Sequence, residues 1–213
     1  MERLANAKHP IHELLQRRWS PRAFAERSVE PEKLRSLLEA ARWAPSSFNE
    51  QPWSFLAAGK DDLIEYERML SCLSEGNRKW ARTAPLLMIS VTAHNFRRNN
   101  KPNRHAFHDV GLAVENLVIQ ATALDLYVHQ MAGFDPERAR EIYGIPEGSE
   151  AVAAIAVGYI GDPQSLPEEF RQREAEPSAR KPMADFVFSG HWGRKAQWVT
   201  EVMVLLSVGP HFS

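Results

Sequence analysis

The sequence predicts an α+β fold, and three observations carry that expectation. Four short apolar runs of strand composition, at residues 53–58, 85–92, 127–131 and 151–160, are separated by polar and turn-forming residues. Between them lie stretches whose apolar residues recur at three- and four-residue spacing, the period of a helix packed on one face. One of these, Phe107 to Leu126, is apolar on nearly every side, which requires burial between layers or against a second subunit.

Taken in order, Ile11, Leu14, Leu15 and Arg18 fall at i, i+3, i+4 and i+7, so a short helix carries a guanidinium in line with its apolar face. An inward-facing guanidinium needs an anion to meet it. Pro21 disfavours the helical conformation for Ser20, so the helix stops there, with Arg17 and Arg18 near its C-terminal end and Ser20 and Arg22 on a turn. Arginine donates in a planar fork that matches phosphate oxygens; the plainer reading is that the arginines complement the helix dipole in water. Pro31 is placed to open a second helix, in which Leu34, Leu37, Leu38 and Ala41 repeat until Pro45. This helix ends at a second polar stretch, so the two loops are expected at the same end of the fold. That stretch supplies Pro45, Ser46, Ser47, Asn49 and Gln51, whose amides and hydroxyls suit the edge of a flat heterocycle, with Phe48 and Trp53 expected to anchor it to the core. An ordinary turn satisfied by local Ser and Asn side chains is the alternative.

Farther on, residues 53–58 read as a strand, 61–74 as a helix and 85–92 as a largely buried strand, with Gly76 to Trp80 connecting the last two. Residues 94–105 form a basic, Asn-rich loop with one aromatic residue, read as a solvated lid beside a pocket. In the long apolar helix, Asp109, Asn116 and Gln120 make a narrow polar stripe that must find partners inside the fold. The strand 127–131 runs into the turn Gln130-Met131-Ala132-Gly133, where the plain reading of Gly133 is a positive φ. A helix follows at Pro136 to Tyr143 and a strand at Ala151 to Ile160. Residues 162–182 lack an apolar period and read as an extended surface connection. Phe186 to Phe188 looks like a short strand, Arg194 and Lys195 follow, and an apolar run closes the chain from Gln197 to Val208.

Composition limits the function classes. With 213 residues, 44% of them hydrophobic, the chain can bury a full core as one domain. A formal net charge of -1 argues against a general attraction to nucleic acid or acidic membranes. The single cysteine, Cys72, forms no internal disulfide, so a cytoplasmic location is expected. No apolar run approaches the ~20 residues needed to span a bilayer. His105, His108 and Asp109 lack the spacing of a metal motif, and no metal is expected. Dinucleotide-fold, P-loop and nucleophile-elbow signatures are absent.

The run Arg17-Arg18-Trp19-Ser20-Pro21-Arg22-Ala23-Phe24, followed by Pro45-Ser46-Ser47-Phe48-Asn49-Glu50-Gln51-Pro52-Trp53, resembles the two N-terminal signatures of the FMN-dependent nitroreductase family. Asp109-Val110-Gly111 through Asn116-Leu117, Met131-Ala132-Gly133-Phe134-Asp135, Gly144-Ile145-Pro146, Val157-Gly158-Tyr159 and Trp192-Gly193-Arg194 continue the likeness in the same order. The resemblance implies a central, mostly antiparallel sheet flanked by helices and completed by a C-terminal strand from the partner in a homodimer. It further implies FMN as cofactor and NADH or NADPH as electron donor to a small acceptor such as a nitroaromatic or quinone, in a ping-pong cycle. Cofactor contacts are implied for Arg17, Arg18, Ser20, Arg22, Pro45, Ser46, Ser47, Asn49, Gln51, Asn77, Gln130, Met131, Ala132 and Gly133, with Arg194 and Lys195 joining the phosphate. Where other members carry an acidic residue before the glycine, this chain has Ala132, so only backbone contacts are implied there. No side chain is nominated as acid or base. A dehalogenase or oxidase of the same fold, or a non-catalytic flavin-binding protein, stands as the alternative. The expected organisation is one FMN-binding domain over residues 1–195 and an extension over 196–213.

Overall fold

The computed structural model describes residues 3–199, and the chain divides after Glu176 into two compact units. In the first, α1 (Glu13–Arg17) and α2 (Pro31–Arg42) precede β1 (Trp53–Gly59), α3 (Leu63–Leu70), α4 (Glu75–Ala81) and β2 (Leu86–Ala93). Then come α5 (Ala106–Ala123), β3 (Tyr127–Met131), α6 (Pro136–Tyr143), β4 (Ser149–Gly158) and α7 (Glu168–Ala175). The four strands form one sheet in the order β1-β2-β4-β3, every pair antiparallel, as expected for the class.

Both faces of the sheet are covered, which is why β2 reads as a continuous apolar run. On one face Leu86, Met88, Ile155 and Val157 pack against Leu37 and Ala41 of α2 and Val110, Val114 and Leu117 of α5. On the other, Leu87, Ile89, Val91 and the alanines Ala151, Ala154 and Ala156 meet Tyr66, Met69, Trp80 and Ala139. Ala151 and Ala154 stand three residues apart and would face opposite ways in a regular strand. The register steps from Ser90↔Ala153 to Val91↔Ala151, and that bulge keeps both alanines on one side.

Helices α2 and α5 lie against each other in opposite directions. Lys33 Nζ donates to Leu124 O (3.0 Å), Gln120 Nε2 to Ser36 Oγ (2.9 Å) and Asn116 Nδ2 to Ala40 O (3.1 Å). Ser47 N, just beyond α2, donates to Asp109 Oδ2 (2.9 Å). The polar stripe of α5 thus finds its partners, and all three lie on α2 or the loop that follows it.

Three segments differ from expectation. The helix predicted over 61–74 stops at Leu70, and Ser74 caps a separate α4 through residues taken for a connector, its Oγ accepting from Asn77 N (3.5 Å). The stretch 162–182 is not extended throughout; it holds a 3₁₀ turn at Pro163–Ser165 and α7. Leu166, Phe170 and Glu174 are spaced by four and all buried, but the third is a carboxylate, so the apolar period does not show. In the second unit, Phe186 to Phe188 is not a regular strand: Phe188 pairs with Lys195 as one bridge of a tight hairpin, with Gly190 and Gly193 at φ 84° and 83°. Of the closing apolar run, only the 3₁₀ turn Gln197–Val199 falls within the described residues.

Candidate functional site

The first polar turn follows from how α1 ends. Arg18 leaves the helix with φ −64° and ψ 121°, and Pro21, lacking an N–H, continues the turn. The backbone beyond it is fixed from three directions. His129 on β3 donates from Nδ1 to Pro21 O (2.8 Å). Gly161 N donates to Ala23 O (2.8 Å) and Ala25 N to Tyr159 O (3.0 Å). From α7, the Glu174 carboxylate accepts from Arg22 N at 2.9 and 3.0 Å and from Ala23 N at 3.1 Å.

With the backbone so held, the side chains remain available. Arg18 Nη1 donates to the exposed Ser20 Oγ (3.3 Å), a neutral partner. Arg22 Nη1 lies 3.8 Å from Glu174 Oε2, close enough for attraction but beyond hydrogen-bond range. Arg17 is different, since it pairs with Asp125 just past the end of α5. On α5, desolvation pushes the Glu115 carboxyl up while Arg18 pulls it back.

A chain of contacts runs from this turn to the predicted turn after β3. His129 packs against Trp80, ring centroids 4.5 Å apart. Trp80 Nε1 donates to Asn77 Oδ1 (3.2 Å), and Asn77 Nδ2 donates to Gly133 O (2.9 Å). Gly133 does not have positive φ; it is small because of close approach. A Cβ there would stand 2.6 Å from Asn77 Nδ2 and 2.9 Å from Ser74 Oγ. Gln130 and Ala132 are exposed and Met131 is buried in the core. Burial drives the pKa of His129 down to about 4, so the ring is neutral at pH 7. A cleft of about 500 Å³ borders this turn at Ser74 and Phe134, and is lined by none of the predicted contact residues.

The second polar loop is a strained segment under tight restraint. Phe48, Asn49 and Gln51 all have positive φ, at 54°, 56° and 51°. Gln51 N donates to Ser46 Oγ (2.9 Å) and Ser47 N to Asp109. Glu50, only 7% exposed, accepts from Arg97 N (2.8 Å) and Nε (3.2 Å), while Arg97 Nη2 donates to Glu50 O (2.8 Å). Phe48 does not anchor the loop in the core: it is 74% exposed, edge-on to Phe96 and under the Arg98 guanidinium at 4.2 Å. The basic loop 94–105, closed by an Asn95–Pro102 bridge, therefore grips the second polar loop. Among the described residues, Ser47 Oγ and the Asn49 side chain have no protein hydrogen-bond partner, and Pro45 is exposed.

The predicted residues thus fall into three places. The first turn, Asn77 and Gly133 come together in one chain. The second loop does not join them: α2 runs between the two loops for 12 residues, about 18 Å at 1.5 Å per residue, against an antiparallel α5. Contacts of the first turn reach Asp125 past one end of α5, and contacts of the second reach Asp109 near the other. The expectation that both loops share one end of the fold is corrected for a single copy. Arg194 and Lys195 lie in the second unit, in the hairpin, where Arg194 O accepts from Ser189 N (3.0 Å). Glu50, His129 and Glu174 were not foreseen. Each is a polar residue whose role is visible only through distant partners.

The sequence model of the nitroreductase family matches residues 15–159. A solved structure described as an oxidoreductase containing FMN is 36% identical, with a TM-score of 0.84, covering 90% of this chain and 97% of that one. An uncharacterized 15.4 kDa protein of Mycolicibacterium smegmatis is 30% identical over 63% of this chain and 90% of its own length. A putative NADH dehydrogenase/NAD(P)H nitroreductase of Archaeoglobus fulgidus is 26% identical over 71% and 86% respectively. Iodotyrosine deiodinase 1 of Mus musculus is 24% identical over 74% and 65%.

Proposed function

The chain belongs to the nitroreductase family, and on that premise we propose that it is an FMN-dependent oxidoreductase carrying electrons from NADH or NADPH to a small electron-poor acceptor, a nitroaromatic or a quinone. The observation that carries this reading is the first polar turn, whose backbone is held at Pro21 O, Arg22 N, Ala23 N and Ala23 O while Arg18, Ser20 and Arg22 keep donors free for an anion. Such a donor set fits a phosphate monoester. In the second loop, Ser47 and Asn49 keep polar atoms without protein partners, on a backbone held in a strained shape, which fits the polar edge of a ring system.

When bound, FMN supplies the two-electron chemistry, and the protein supplies position and electrostatics. Arg18, Ser20 and Arg22 hold the phosphate. Arg17 contributes less, being paired with Asp125. Pro45, Ser46, Ser47, Asn49 and Gln51 line the ring, and the 130–133 turn offers backbone groups. Asn77 acts by fastening Gly133 in place. No side chain in this set is required to move a proton.

A homodimer reconciles this reading with the position of the loops. A second copy related by a twofold axis along the α5 face sets the second loop of one chain beside the first turn of the other. Exposed Phe107 and Gly111 on α5 and Leu15 on α1 suit that contact.

The deciding experiment is the visible spectrum of purified protein, followed by anaerobic titration with NADH and NADPH. Flavin bands that bleach with either donor, and reappear on adding a nitroaromatic or quinone, are expected. Colourless protein that takes up no FMN overturns the proposal. Flavin that bleaches without turnover of these acceptors directs attention to dehalogenation or oxidase chemistry, and flavin that does not bleach to a non-catalytic role. Arg18→Ala is expected to weaken FMN retention; unchanged retention removes Arg18 from the site.

A further inference from the structure

Glu174 is a buried carboxylate, 5% exposed, on a helix beyond the residues that the family model matches. It does not cap its own helix. Both of its oxygens face the first polar turn, where they accept three hydrogen bonds from two successive backbone amides, Arg22 and Ala23. Its own carbonyl accepts from Arg3 Nη1 (2.9 Å), which ties the end of α7 to the N-terminal segment. A buried charge is tolerated only where hydrogen bonds compensate it, and here the compensation comes from the backbone of the turn.

We infer that Glu174 is a positioning residue for the phosphate of the bound cofactor: by holding the Arg22 and Ala23 amides it fixes where the Arg22 side chain leaves the turn, without itself touching the ligand. The inference rests on the reading of that turn as a phosphate site. The direction follows from the geometry. His129 already holds the Pro21–Arg22 peptide at Pro21 O and Gly161 holds the Ala23–Phe24 peptide at Ala23 O, leaving the Arg22–Ala23 peptide between them anchored by Glu174 through Ala23 N. At 3.8 Å the Arg22 guanidinium is attracted to the carboxylate but not captured by it, so its fork is oriented and still open to a phosphate. Loss of the anchor lets the peptide rotate, and losing one charge-assisted hydrogen bond to the phosphate costs on the order of 10- to 100-fold in affinity.

The test compares FMN with riboflavin, which has the same ring and lacks the phosphate. Flavin-stripped full-length protein, wild type, Glu174→Gln and Glu174→Ala, is titrated with each flavin by fluorescence quenching. Wild type is expected to prefer FMN. Glu174→Ala is expected to weaken FMN by roughly tenfold or more while riboflavin changes less than about twofold. Glu174→Gln keeps the volume and one acceptor oxygen; it follows the same direction with a smaller loss, and carries the test if the alanine variant does not fold. Equal weakening of both flavins, or unchanged FMN affinity, overturns the inference by reducing Glu174 to a fold-supporting residue. Wild type that binds FMN no better than riboflavin removes the phosphate assignment, and this inference with it.

Discussion

His129 gives the sharpest physical prediction, because one side chain joins the first polar turn to the core. Its ring donates to Pro21 O, packs on Trp80 and has its pKa lowered by burial from 6.5 to about 4. A histidine whose folded pKa is depressed adds stability that is fully present above the unfolded value and is lost as pH falls toward the folded one. Between pH 6.5 and 4 the unfolded chain takes up a proton that the folded chain refuses. At about 1.4 kcal/mol per pKa unit this difference is worth about 3 kcal/mol. Urea unfolding of wild type and His129→Gln, each at pH 7 and pH 4, isolates the contribution, since all other titrating groups are common to both. His129→Gln costs stability at pH 7, where its amide replaces a well-packed ring, yet loses less on acidification. With a urea m-value of about 2 kcal/mol/M, the wild-type midpoint should fall by roughly 1.5 M more than that of the variant. Equal falls would refute the argument that His129 is held neutral by its site.

Four further substitutions test the supports of the candidate site and of the core beneath it. Glu50→Ala removes the acceptor for Arg97 and leaves three positive-φ residues without their restraint; a loss of about 2 kcal/mol, seen as a melting temperature lower by roughly 4–8 °C, is expected. Gly133→Ala drives a methyl group into Asn77 and Ser74 and should cost about 1–2 kcal/mol in urea unfolding. Adding Asn77→Ala removes the clash but also takes the acceptor from buried Trp80 Nε1, so the double variant should lose roughly 1 kcal/mol more than Gly133→Ala. Tyr66→Phe takes a buried phenol from Ala84 O (2.6 Å) and Ala81 O (3.2 Å), with about 1–2 kcal/mol lost in the same assay.

Segments with a single strong local signal were legible in the sequence. Pro136–Tyr143 forms a helix with Pro at its first turn and Gly144 in the left-handed conformation just past its end, two signals that agree. The polar stripe of α5 was legible because buried amides must be satisfied somewhere, and Asn116 and Gln120 found α2. What escaped depends on contacts between residues far apart in the chain. The break between α3 and α4 escaped because Ser74 caps a helix whose first turn holds a glycine, Gly76, a weak helix former. Helix α7 escaped because Glu174 stands where a leucine would have completed the pattern. Phe48 reads as a core residue because aromatic side chains usually are, whereas here it meets Phe96 edge-on and lies under Arg98 at the surface. The signatures named the residue types at the two loops; only the antiparallel course of α2 and α5 shows that one copy keeps them apart.

If two copies build the cleft as proposed, that antiparallel pair makes cofactor retention sensitive to how much protein is in the tube. On the proposed composite arrangement each subunit owns half of each binding cleft, so flavin release and subunit separation are linked equilibria, each promoting the other by mass action. Dilution should then strip colour from the sample more steeply than a one-subunit site allows, and added FMN should hold the subunits together.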